Sequence, residues 1–93
     1  MALPDLNTWK ASIARSGYFK PSEQLALTTW AEEVADENSL CDPNVTAAEV
    51  ARQHDLAPST IASARKVARD RGYLAFSAKR EREYLCIPRE WVV

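Results

Sequence analysis

The stretch from Val45 to Leu74, VTAAEVARQHDLAPSTIASARKVARDRGYL, constrains this chain more than any other part of it. Thr46 and Glu49 form a T-x-x-E pattern, in which a hydroxyl and a carboxylate cap each other's backbone donors at a helix start. A helix is therefore predicted from Ala47, with Ala48, Val50 and Ala51 as small apolar contacts. The polar run Arg52, Gln53, His54 carries it to Asp55, a residue type that tolerates the left-handed conformation of a tight exit. Leu56 reads as the buried residue of the turn. Pro58, with its fixed φ and missing N–H, suits the first position of a second helix. Ile61, Ala64, Val67, Ala68 and Arg71 follow at helical spacing, and Gly72 supplies the stop.

Two short helices joined by a tight turn, the second one longer, meet the requirements of a helix-turn-helix: one helix braces while the other enters a groove. At about 100° per residue, Ile61, Ala64 and Ala68 share one face of the second helix, and Ser59, Ala62, Ser63, Lys66 and Arg69 share the other. The outward face is small and polar near its start and basic later. Short side chains let a helix approach base edges, while Lys66 and Arg69 are long enough to reach phosphates or a guanine.

Val50 and Ala51, then Leu56, then Ser59, Thr60 and Ile61, and finally Gly72, Tyr73 and Leu74 together resemble the pattern of winged helix-turn-helix DNA-binding domains. Such domains occur in GntR-type regulators and in phage and plasmid replication proteins. The match covers Val45–Leu74 directly and, with the flanks, most of the chain. The family usually has Gly where Asp55 stands and Ser where Ala57 stands. Without a hydroxyl at position 57 the second helix forgoes a cap worth on the order of 1 kcal/mol. The resemblance implies that Ser59, Thr60 and Ser63 occupy base-reading positions.

The flanks fit this frame. Asp5 caps a predicted helix from about Leu6 to Ser16, with Leu6, Trp9 and Ile13 on one face and Gly17 ending it. Tyr18–Lys20 connects to Pro21 and Ser22, and Ser22 is predicted to cap a helix running from Glu23 to about Ala35. Leu27, Trp30, Ala31 and Val34 are its apolar stripe; Glu23, Glu32, Glu33 and Asp36 are its wet face. Ser39–Asn44 reads as a turn. After Gly72 the period changes to that of strands: 73–77 and 83–87 alternate around the short charged run Ala78–Arg82. This predicts a hairpin wing with Leu74, Phe76, Leu85 and Ile87 facing the helices and Lys79, Arg80 and Arg82 at its tip.

With 93 residues, 46% of them hydrophobic, the chain has enough apolar surface for one small core. Net charge is −1, but it is unevenly spread. Residues 1–51 carry three basic and eight acidic side chains, whereas residues 52–82 carry eight basic and three acidic ones. The positive charge thus falls where a DNA-contacting face is expected. No long apolar stretch suggests a membrane span, and MALPDLNTWK lacks a basic segment ahead of an apolar run, which points to a cytoplasmic protein. Cys41 and Cys86 are far apart and accompanied by a single histidine, so they read as small hydrophobes, not metal ligands or a disulfide. His54 beside Asp55 does not make a catalytic set, because adjacent side chains diverge and no oxyanion hole is in view.

The expected architecture is mainly α with a small β-hairpin, a winged helix-turn-helix forming one domain over 1–93. It comprises N-terminal helices in 1–44, the helix-turn-helix in 45–72 and the wing in 73–88. The expected function is sequence-specific binding of double-stranded DNA as a small transcriptional regulator, without enzymatic activity, cofactor or metal. The contacts are assigned to Ser59, Thr60, Ala62, Ser63, Lys66, Arg69, Lys79, Arg80 and Arg82. Two alternatives share these features: an accessory, excisionase-like DNA-binding factor in replication or recombination of a phage or plasmid, and a winged-helix module that docks a protein partner through the acidic first half. A homodimer with Trp9, Ile13 and Trp91 as contacts is a further expectation, since strong specificity usually draws on two half-sites.

Overall fold

The computed structural model describes residues 3–88. Four helices precede a C-terminal antiparallel hairpin: α1 (Leu6–Ser16), α2 (Pro21–Val34), α3 (Ala47–Gln53), α4 (Pro58–Asp70), β1 (Leu74–Ser77) and β2 (Arg82–Leu85). Local chemistry sets most of these limits. The Asp5 carboxylate accepts from the Thr8 N–H at 2.7 Å, which also holds its pKa below the usual carboxylate value, and Gly17 closes α1 at φ 75°. Thr46 Oγ1 accepts from the Glu49 N–H at 3.1 Å at the start of α3. Asp55 makes the α3–α4 turn at φ 54°, and Leu56 N–H bonds back to the Ala51 carbonyl at 2.8 Å. Gly72, at φ 88°, follows α4, and the Tyr73 N–H reaches back to the Ala68 carbonyl at 2.7 Å. A Cβ at Gly72 would meet the Pro88 ring at van der Waals contact, 3.4 Å, so the positive φ is what calls for glycine there.

α4 begins at Pro58 as the sequence predicts, with Ala57 at its N-cap and no side chain capping it. Ala57→Ser should therefore stabilise the protein by about 1 kcal/mol. An unchanged midpoint in urea would show that the position gains nothing from a hydroxyl.

α2 begins earlier than expected. Lys20, not Ser22, is its N-cap; Pro21 takes the first helical position, and the Glu23 carboxylate accepts from the Lys20 N–H at 3.0 Å. A proline pre-set for the helical φ extends the helix back past the serine.

The six elements share one hydrophobic cluster. α1 contributes Trp9 and Ile13; α2 Ala26, Leu27, Trp30, Ala31 and Val34; α3 Val50 and Ala51; α4 Ile61, Ala64 and Ala68; the hairpin Leu74 and Leu85. Ala47, not Ala48, is the extra alanine packed on the cluster, and Ala48 is exposed. Trp9 and Ile13 are 0% and 1% exposed, so they are interior groups and not contacts for a second subunit. Trp91, the third expected contact, lies outside the described residues. The Trp9 indole N–H donates to the Tyr73 carbonyl at 2.9 Å, fastening α1 to the base of the hairpin, and Phe19 meets the Tyr73 ring edge-on with centroids 6.1 Å apart.

The segment read as a turn between α2 and α3 pairs with the hairpin. Ala35 bridges Cys41 and Leu40 bridges Tyr84; the Cys41 N–H donates to the Glu83 carbonyl at 2.8 Å, and the Leu85 N–H to the Ser39 carbonyl at 2.9 Å. Leu40–Cys41 therefore runs along the edge of β2, leaving β1 on the other edge. The Asp36 carboxylate shapes the approach by accepting from the Asn38 and Leu40 N–H groups, and Ser39, at φ 64°, donates its hydroxyl to the Pro4 carbonyl.

Candidate nucleic-acid interface

α4 turns the face carrying Ile61, Ala64 and Ala68 inward and leaves Ser59, Ala62, Ser63, Lys66 and Arg69 exposed, with Thr60 half-buried. The expected set on this helix thus lies together on an outward surface. Lys66 reaches Asp70 one turn on at 3.1 Å, but both side chains are mostly in water, so the pair leaves Lys66 available.

The hairpin is fastened to α4 by Glu83. Its carboxylate accepts from the Arg65 guanidinium at 2.5 Å and from that of Arg69 at 3.5 Å. Arg65 in turn lies over the Trp30 ring, 4.8 Å from its centroid. Arg65 and Glu83 are each 24% exposed, whereas Arg69 is 53% exposed and held only by this long contact. Glu83 was not among the expected site residues, although the pattern held a clue to it. Leu85 is an inward residue of β2, and the residue two before it shares its face. An acid there must meet a cation from the helices.

The tip of the hairpin carries fewer of the expected cations than the charged run suggested. The turn spans residues 78–81, with Glu81 at φ 56°, and Lys79 and Arg80 are exposed on it with no ion pair among the described residues. Arg82 is not at the tip. As the first residue of β2 it donates through Nε to the Cys41 carbonyl at 2.9 Å and lies 3.6 Å from Asp36, so it ties the hairpin to the α2–α3 connection. Arg80 borders a shallow hollow with Asp5, Glu37 and Tyr84, which leaves Lys79 as the more freely presented of the two tip cations.

Phe76 also departs from expectation. It was expected to face the helices and is instead 64% exposed, because α4 covers the sheet only as far as Leu74. Its partner across the hairpin is Glu83. Phe76 borders a groove of about 390 Å³ with Trp30, Val45, Ala47, Arg65 and Glu81.

The acidic face of α2 is partly engaged within the molecule. Lys10 pairs with Glu32, and His54 Nε2 lies 2.9 Å from Glu33. Both cysteines are free thiols. Cys41 is buried, its pKa pushed up to about 12, first by loss of hydration and then by the nearby Glu83 charge. Burial also raises Cys86. Among the described residues no group of three or more His, Cys, Asp or Glu side chains is placed to hold a metal, and no helix is long and apolar enough to cross a membrane. Comparison with protein-family models, with curated proteins and with solved structures found no match to this chain.

Proposed function

We infer that this chain is a winged helix-turn-helix protein that binds double-stranded DNA in a sequence-dependent way. It acts as a small regulator, with α4 in the major groove and the 78–81 turn over the flanking groove. The observation that carries the reading is the outward face of α4, small and hydroxyl-bearing at Ser59 and Ser63 and cationic at Lys66 and Arg69, standing beside a hairpin anchored to that helix. A helix that enters a groove needs that gradient, and a flanking hairpin must be held at a fixed distance from it to act as a second contact. Glu83 holds it on one side and Arg82, through Cys41 and Asp36, on the other.

The contact set follows the placement of the side chains. Ser59, Thr60, Ala62 and Ser63 lie along the edge that reads bases, while Lys66, Arg69, Lys79 and Arg80 neutralise phosphates. Arg82 acts by holding the hairpin in place. The protein is a binder, not a catalyst. Control of transcription and an accessory role in replication or recombination of a mobile element call on the same surface.

Labelled random-sequence duplex at low salt tests the reading, and selection from a random pool then defines the preferred site. Lys79→Ala or Arg80→Ala should weaken binding to every sequence and lower the salt dependence by about one unit of slope. Ser63→Ala should instead alter which selected sequence is preferred. Absence of binding to any duplex at low salt overturns the proposal and leaves a protein partner for the acidic first half as the reading to pursue.

A further inference from the structure

We propose that Phe76, which nothing in the sequence pattern assigned to binding, contacts the sugar–phosphate backbone of the duplex. Its main-chain N–H donates to a phosphate, and its ring packs on the adjoining deoxyribose. This inference rests on the DNA-binding reading and adds to it a contact that is largely uncharged.

Hydrogen-bond direction along the hairpin carries the argument. Glu83 uses its carbonyl, and Leu85 its N–H, to bond the Ser39–Cys41 segment. In an antiparallel ladder the N–H and C=O of one residue point to the same side. Glu83 and Leu85 therefore face away from β1, and their opposite numbers Phe76 and Leu74 face away from β2. Leu74 is 2% exposed and has its edge covered, so within β1 Phe76 alone presents an open N–H and C=O beside an exposed ring.

That pairing selects the occupant. An added strand needs open donors and acceptors at alternate residues over several positions, and β1 ends one residue later at Ser77. One open N–H and C=O pair is too short a ladder for a strand, whereas its N–H beside an apolar ring matches one phosphate and its sugar. The charges around it favour the same occupant. Arg69 reaches Glu83, the residue opposite Phe76, and Lys79 lies exposed three residues further along the chain. The groove behind the ring sets Asp42, Glu81 and Glu83 against Arg65 and Arg82, so it offers an anion no net attraction and leaves it at the outer edge.

The test compares the wild type, Phe76→Ala and Phe76→Leu binding to a labelled duplex across a potassium chloride series, with thermal midpoints confirming that each variant is folded. Phe76→Ala should lower affinity about tenfold at every salt concentration. The slope against salt should stay unchanged, because the N–H contact remains and no charge is lost. Phe76→Leu should recover most of that loss. If the wild type binds and Phe76→Ala binds equally well, the contact is refuted while the DNA-binding reading stands. If Phe76→Ala changes the sedimentation mass of the free protein and not its affinity for duplex, the edge serves a second copy and the proposal fails. If the wild type binds no duplex, the underlying reading falls and takes this contact with it.

Discussion

Trp9→Ala should remove a large share of the stability of this protein, about 3–5 kcal/mol in a urea titration followed by circular dichroism. The side chain is fully buried, and its indole N–H bonds the Tyr73 carbonyl across a separation of 64 residues. Alanine therefore opens a cavity between α1 and the hairpin and also removes the hydrogen bond. A domain of this size has a total stability of only about 5–14 kcal/mol, so the loss is a large share of the whole. Trp9→Phe separates the two contributions. It refills much of the space, and the Tyr73 carbonyl keeps its bond from the Cys86 N–H at 3.1 Å, so its cost should be about 1–2 kcal/mol. Equal costs for the two substitutions would mean that the hydrogen bond, not the packing, holds α1 in place.

Glu83→Ala should cost about 2 kcal/mol, because it leaves the Arg65 guanidinium half-buried over Trp30 without its carboxylate. The magnitude lies below that of a fully buried pair because both partners keep a quarter of their surface in water. A double-mutant cycle with Arg65→Met isolates the pair, and a coupling near zero would make it a bystander. The exposed pair Lys66–Asp70 is the internal control: Asp70→Ala should change stability by less than about 0.5 kcal/mol. Under the proposed DNA-binding function, Glu83→Ala should also weaken duplex binding, since the hairpin loses its tie to α4.

Legibility in the sequence followed the range of the interactions. Asp5, Gly17, Thr46, Asp55, Pro58 and Gly72 act on backbone groups within a few residues, and there the expected and observed element limits agree closely. The inward and outward faces of α4 were likewise readable, because helical period alone separates Ile61, Ala64 and Ala68 from Ser59, Ser63 and Lys66. What could not be read depended on partners far along the chain. Leu40–Cys41 owes its extended form to β2, and Arg82 owes its position to Cys41 and Asp36. Phe76 shows a different limit: alternation told which side of the sheet it belongs to but not where α4 stops covering that side. Trp9 and Ile13 formed an apolar stripe in need of a cover, and the cover proved to lie within the same chain.

The bond between Trp9 and Tyr73 has a consequence for how the chain is made. Tyr73 is made 64 residues after Trp9, so although α2 is already at hand to pack on α1, a growing polypeptide carries an indole without its hydrogen-bond partner until the start of the hairpin has left the ribosome. α3 and α4, complete by Asp70, wait as well, for the carboxylate of Glu83 that fastens α4 arrives only with β2. Packing of this domain is thus completed only once β2 has been made, when α1 and α4 are both fastened to the hairpin region.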